Sequence, residues 1–162
     1  MALATVLVGA IGIAASAPTS GGQGIAQVKT TYGGDPTWFT DSSAWVNVPG
    51  AKISMKVPDG LESLFIARFS AYTACYNDDD PFSIPCEVRV RVAGPSGTST
   101  MNPKTGLMHH NNSEPDASAI DRSLGPVGAG SYEFRVQVRN IGTAPRSTGV
   151  GYWHLTLERV AA

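Results

Sequence analysis

Cys75 and Cys86 are the only cysteines among 162 residues, and they bracket the stretch CYNDDDPFSIPC. Two cysteines at this spacing admit a metal grip, thiol exchange or a staple. Structural zinc asks for about four ligands at characteristic spacings, and the chain has no CxxC pair. Strand parity favours the staple. Cys75 shares parity with Phe65, Ala67 and Phe69, and Cys86 with Val88, Val90 and Val92. Alternate residues of a strand face one side, so both sulfurs are expected to point toward the core. Two neighbouring strands joined by one short connection would bring the Cα atoms to the roughly 4.4–6.8 Å that a disulfide needs. Closing so short a loop stabilises by about 2–3 kcal/mol on the chain-entropy model. A Cys75–Cys86 disulfide is therefore expected.

Inside that staple, Asp78, Asp79 and Asp80 are a calcium candidate, because calcium takes hard oxygen ligands. Three consecutive carboxylates lack the alternate spacing and closing Glu of a calcium loop, so a solvated turn before Pro81 is the expectation. His109 and His110 sit together in a polar stretch with Asn111, Asn112 and Glu114 nearby. Adjacent residues on an extended chain point apart, which prevents both rings from holding one ion. His154 falls on a late strand, opposite in parity to Trp153. No GxSxG or comparable nucleophile motif occurs. No catalytic residue, resident metal or cofactor is expected, and the chain reads as a non-enzyme.

Trp38, Trp45, Trp153, Tyr72, Tyr76 and Tyr152 could build a platform on which sugars stack. Aromatic residues of a β-protein more often fill the core. Trp45 and Trp153 have apolar neighbours that suit the core, and Tyr76, within the stapled loop, is the candidate for glycan contact. Arg89, Arg91, Arg135 and Arg139 share the outward parity with Glu87 and Glu133, which predicts cross-strand ion pairs on a solvated face. Asn111 begins an N-glycosylation sequon.

The elements that position these residues read as strands. In CEVRVRV (86–92) and SYEFRVQVRN (131–140), apolar and charged residues alternate. AWVNVP (44–49), GAKISMKVP (50–58), LESLFIARFSAYTAC (61–75) and GYWHLTLERV (151–160) follow the same period, and IAQVKTTY (25–32) suits a first strand. No window repeats apolar residues at helical spacing. Strands with one wet and one apolar face form antiparallel sheets that pack face to face. The prediction is an all-β antiparallel sandwich of jelly-roll type with about eight strands. The stretch 94–123 is polar and rich in turn formers, and is expected to be a long loop with at most one short strand.

Eighteen Gly and 11 Pro punctuate the chain, and only 15% of residues are charged, with a net charge of −1. That balance excludes general attraction to nucleic acid or anionic lipid. Residues 2–17 carry no charge and end in Ala15-Ser16-Ala17, the small-x-small form of a signal-peptidase site. Residues 1–17 are thus expected to be a signal-peptide-like segment, with cleavage displaced slightly from Pro18. Residues 18–40 are expected to be a flexible arm able to add a strand to a neighbour, and 41–162 the sandwich domain.

WVNVPGAKISMKVPDG, LFIARFSAYTACY, CEVRVRVAG, DRSLGPVGAGSYEFRVQVRN and YWHLTLERV together resemble small secreted β-sandwich proteins of actinobacteria with no assigned activity. Where those proteins carry an acidic-aromatic run, this chain reads TMNPKTGLMHHNNSEPDAS, and GVGYW replaces their LDDW. GAGSYEFRVQV also resembles the jelly rolls of the C1q and tumour-necrosis-factor type, which trimerise. The function expected from these features together is a secreted, non-enzymatic binding or structural module, a component of an extracellular protein assembly, with carbohydrate binding or a trimeric C1q-like jelly roll as alternatives. A row of exposed aromatics would favour the glycan, a cleft with convergent His or carboxylates an enzyme, and an unpaired edge or apolar patch assembly.

Overall fold

The structure, a computed structural model, describes residues 25–35, 37–77, 86–104, 106–108, 116–141 and 146–162. Two antiparallel sheets face each other. The first has the order β1 (Ile25–Gly33), β10 (Arg146–Ala161), β4 (Ser63–Asn77) and β8 (Asp116–Val127). Short β2 (Trp38–Thr40) pairs with β10 on the same side as β1. The second has the order β3 (Val46–Val57), β9 (Gly130–Asn140), β5 (Cys86–Gly94) and β6 (Gly97–Thr100), with β7 (Gly106–Met108) also on β5. The two four-strand paths, β1-β10-β4-β8 and β3-β9-β5-β6, have the order of a double Greek key, which makes the sandwich a jelly roll. No helix occurs among the described residues.

The core forms where the alternating apolar rows of the two sheets meet. Phe65, Ala67, Phe69, Leu155 and Leu157 of the first sheet pack against Ile53, Val88, Val90, Phe134 and Val136 of the second. At the centre, the Phe65 ring lies 4.8 Å from Phe134 and 5.5 Å from Tyr132, both tilted. Tilted aromatic pairs of this kind add a little to what area burial alone supplies. The Tyr132 hydroxyl donates to the Gly128 carbonyl at 2.8 Å, so its polar end is satisfied.

Several expectations change. AWVNVP and GAKISMKVP are one strand, β3, broken by an irregularity between Asn47 and Lys52. The extra residues flip the inward parity from Val48 to Ala51, and Gly50 takes φ 75° there. The stretch 94–123 is not a long loop: it contributes β6, β7 and most of β8. Met101 within it is fully buried. From Ile25 onward the expected arm lies in the first sheet, where β1 pairs with β10 of its own chain from Ile25↔Val160 to Gly33↔Trp153. Residues 1–24 lie outside the described residues, and no described helix is long and apolar enough to cross a membrane.

β8 escaped notice because its inward row mixes Ser118, Ile120, Arg122 and Leu124, and Pro126 follows. Both oddities suit an edge strand. Pro is tolerated there, and an inward-pointing charge discourages edge-to-edge pairing. Arg122 is buried, its Nη1 donates to the Asp121 carbonyl at 2.8 Å, and burial lowers its pKa.

Cys75 and Cys86 are bonded, with Cα atoms 5.9 Å apart. They do not close a hairpin between neighbouring strands. Cys75 is in β4 of the first sheet and Cys86 in β5 of the second, so the bond ties the two sheets together across one end of the core. Inward parity at both positions is what an inter-sheet bond requires. Buried Thr148, opposite Cys75, and Asn140, opposite Cys86, flank it. The Thr148 hydroxyl donates to Asn140 Oδ1 and lies 3.0 Å from the Cys86 sulfur, while Asn140 Nδ2 donates to the Thr40 carbonyl at 3.2 Å.

Candidate functional site

The outer face of the first sheet carries the aromatic residues that the core does not absorb. Tyr32 is 80% exposed, Tyr152 65%, and Tyr72 and Phe39 51% each. Register explains their common face. Tyr32 lies opposite His154, Tyr72 opposite Gly151, and Phe39 opposite Gly149, while the neighbours of opposite parity, Trp153 and Leu155, point into the core. The Tyr72 and Tyr152 rings meet edge to face, with centroids 6.2 Å apart.

An interruption in the edge of the sheet turns this face into a site. β1 ends at Gly33 and β2 begins at Trp38, and opposite that gap β10 bulges between Gly151 and His154. In the bulge Tyr152 adopts φ 46°, the left-handed region that a bulky residue enters only when its surroundings enforce it. Its backbone N–H donates to the Gly34 carbonyl at 3.2 Å, which fixes the ring outward. Bulges commonly re-aim side chains beside binding sites.

Glycines let the backbone close around this bulge. Gly34 has φ 101°, and a Cβ there would lie 2.6 Å from the Tyr152 nitrogen and 2.8 Å from the Trp153 ring. A Cβ on Gly33 would lie 2.9 Å from the same indole. Gly34→Ala is therefore expected to destabilise by about 1–3 kcal/mol through backbone strain and displacement of Tyr152. Thermal unfolding checks this, and an unchanged Tm would mean that the bulge does not depend on Gly34.

The result is an open depression of about 490 Å3 lined by Tyr32, Asp35, Tyr152, Trp153 and His154, with Gly33 and Gly34. That volume falls within the roughly 300–1,000 Å3 of small-molecule sites. Aromatic surface dominates the lining, while one carboxylate, one imidazole and two phenols supply polar contacts. Thr156 Oγ1 lies 3.5 Å from His154 Nδ1. The lining holds neither a nucleophile–base pair nor two carboxylates. Among the described residues, no three His, Cys, Asp or Glu side chains gather to hold a metal. A second hollow of about 300 Å3 near Tyr132 and Pro126 is lined by no charged side chain.

The candidates named from sequence separate accordingly. Tyr72, Tyr152 and His154 share the outer face. Trp153 is core, and Trp38 packs partly buried against it. Trp45 is not core: it lies on the outer face of the second sheet, under the guanidinium groups of Arg89 (4.1 Å) and Arg139 (4.6 Å). Asp78, Asp79, Asp80, His109, His110, Asn111, Asn112, Glu114 and the side chain of Tyr76 lie outside the described residues. Tyr32 and Phe39 were missed, because neither their strand parity nor the gap between them is marked by a repeating pattern.

The outward arginines are only partly ion-paired. Arg139 meets Glu87 at 2.5 Å, and Arg135 meets Glu133 at 2.6 Å along its own strand. Arg89 instead donates to Gln137 Oε1 at 2.8 Å, and Arg91 to Thr98 Oγ1 at 2.9 Å. The hydrogen bond from Arg135 holds Glu133 below the usual carboxylate range.

No protein-family model matches the chain, and no curated protein does. Among solved structures it is similar to that of infectious bursal disease virus strain Gx, at 10% identity and a TM-score of 0.48 over 95% of this chain and 39% of that one. It is also similar to the VP2 subviral particle of infectious bursal disease virus, at 13% identity and a TM-score of 0.44, over 95% of this chain and 41% of that chain. A third similarity is to TmCBM61 in complex with beta-1,4-galactotriose, at 10% identity and a TM-score of 0.32, over 81% of this chain and 88% of that one. This chain thus spans about two fifths of either viral chain. The jelly-roll assignment rests on the strand order.

Proposed function

We propose that the protein is a secreted, non-enzymatic binding module that takes a neutral carbohydrate against Tyr32, Tyr72 and Tyr152. The observation that carries this reading is the exposure of three tyrosines on one face, around a depression with an aromatic lining and polar edges. A sugar ring presents C–H groups to aromatic faces and hydroxyls to groups such as Asp35, His154 and the phenols. That combination of apolar surface with a few convergent polar groups is what small-molecule sites share. The inter-sheet disulfide and the apolar N-terminal run ending in Ala15-Ser16-Ala17 support an extracytoplasmic location.

A glycan array probed with the full chain is expected to retain neutral oligosaccharides. Titration of the best of them should weaken at least about tenfold in Tyr32→Ala/Tyr152→Ala, which corresponds to about 1.4 kcal/mol. Thermal unfolding of the variant should stay within a few degrees of the parent, because both rings are exposed. Undiminished binding by the double variant overturns the assignment. Release of new reducing ends from the bound sugar would mark an enzyme instead.

Assembly with another protein through the same face is the second reading, favoured by Val28 and Phe39, apolar and half exposed beside the tyrosines. Concentration-dependent sedimentation that Phe39→Ser abolishes, without glycan binding, is the result this reading expects.

A further inference from the structure

The outer face of the second sheet is chemically opposite to the tyrosine face. Outward residues of β3, β5 and β9 place Lys52, Lys56, Arg89, Arg91, Arg135 and Arg139 on it, with Glu87 and Glu133 the carboxylates of the same rows. The excess of cations there contrasts with the whole-chain charge of −1. Register sharpens the contrast. Lys52 is opposite Arg135, and Arg135 is opposite Arg91, so three cations form one row across three strands. At about 4.8 Å per strand the row is roughly 10 Å long. Like charges placed directly opposite one another destabilise a sheet, and Glu133 offsets only part of this row. Burial, and then the neighbouring Arg91 and Arg139, holds Arg89 below its ordinary guanidinium value. A shallow pocket of about 230 Å3 opens between Arg91 and Arg135, with Asn47, Ala93, Gln137 and the Arg135-paired carboxylate of Glu133 also lining it. Two guanidiniums against one carboxylate leave the pocket with a net positive charge, and Lys52, Lys56, Arg89 and Arg139 around it raise that excess.

We infer that this face binds an acidic polysaccharide, one carboxylate of the polymer entering the pocket between Arg91 and Arg135 and the next lying along the row toward Lys52. Two other polyanion-binding or partner-binding designs fit less well. Single-stranded nucleic acid is usually held by cations together with free aromatic faces. Trp45, on this face, is instead covered by Arg89 and Arg139. Protein partners are anchored by buried apolar side chains, and the outward rows of β5 and β9 are charged or polar apart from Ala93. The inference does not depend on the tyrosine site, since the two faces belong to different sheets.

The test is titration of the full chain with polygalacturonate at about 50 mM and about 300 mM NaCl, with neutral dextran as the uncharged control. Binding at low salt is expected, weakening at least about tenfold at high salt, and dextran should not compete. Lys52→Gln/Arg91→Gln/Arg135→Gln should bind at least about tenfold more weakly. Because it relieves like-charge contacts while losing the Arg135–Glu133 pair and the Arg91–Thr98 hydrogen bond, all at the surface, its Tm should stay within a few degrees of the parent's. Should that variant misfold, Lys52→Glu, at an exposed position, should weaken binding about threefold on its own. Tyr32→Ala/Tyr152→Ala should bind polygalacturonate as the parent does, so failure of the neutral-sugar reading and failure of this one are told apart. The inference is overturned by full binding in the charge variants, or by salt-independent binding. It is equally overturned if an oligonucleotide or anionic phospholipid vesicles retain the protein more strongly than polygalacturonate.

Discussion

Replacing Cys75 and Cys86 together by alanine is expected to lower the unfolding free energy by about 3 kcal/mol. The bond closes a short loop, for which the chain-entropy model gives about 2.8 kcal/mol, and losses of native disulfides from small secreted domains run about 2–5 kcal/mol. The upper half of that range applies here if the surroundings fail to adjust. The bond is the disulfide link between the sheets, and its neighbours Thr148 and Asn140 are buried polar groups whose pairing assumes the present spacing of β9 and β10. Urea unfolding with and without reductant measures the effect. The parent's midpoint should fall on reduction, and the double variant's should not. A midpoint indifferent to reductant would show that the sheets hold together equally well without the link.

Phe134→Ala is expected to cost about 3–5 kcal/mol, the range for removing a fully buried aromatic ring from a packed core. Domains of this kind are typically stable by about 5–15 kcal/mol, so one substitution should consume a large share. Phe134 is fully buried, faces Phe65 across the sheets and sits in register with Ile53 on β3 and Val92 on β5. Its removal leaves a cavity that three strands border. Denaturant titration with unchanged m-value checks the core effect. A cost below about 1 kcal/mol would mean that the sheets do not pack as described.

Where one face of a strand is wet and the other apolar, the alternation was readable: β4, β5 and β9 were all visible from their rows of Phe, Ala, Val and Arg. The disulfide was readable for the same reason, although parity could not say whether the inward sulfurs met within a sheet or between sheets. β8 was hidden because an edge strand tolerates Arg122 inward and Pro126 in line, which erases the period. Trp45 was misread because a large aromatic beside Val46 and Val48 looks like core. The two flanking arginines that cover it come from β5 and β9, far away in sequence. The candidate sites depend on register, which no single strand carries. The row Lys52–Arg135–Arg91 exists only once three strands are aligned. The tyrosine face likewise needs β1, β4 and β10 side by side, with a bulge turning Tyr152 outward.

The position of β10 in the first sheet has a consequence for how the chain reaches its native state. This strand lies between β1 and β4, and its register with β1 joins Ile25 to Val160. During synthesis β1 cannot find its partner until β10 has been made, and contacts between such distant segments form slowly. Until then the apolar row of β1 stays uncovered, while β4 can already pair with β8 and β5 with β9.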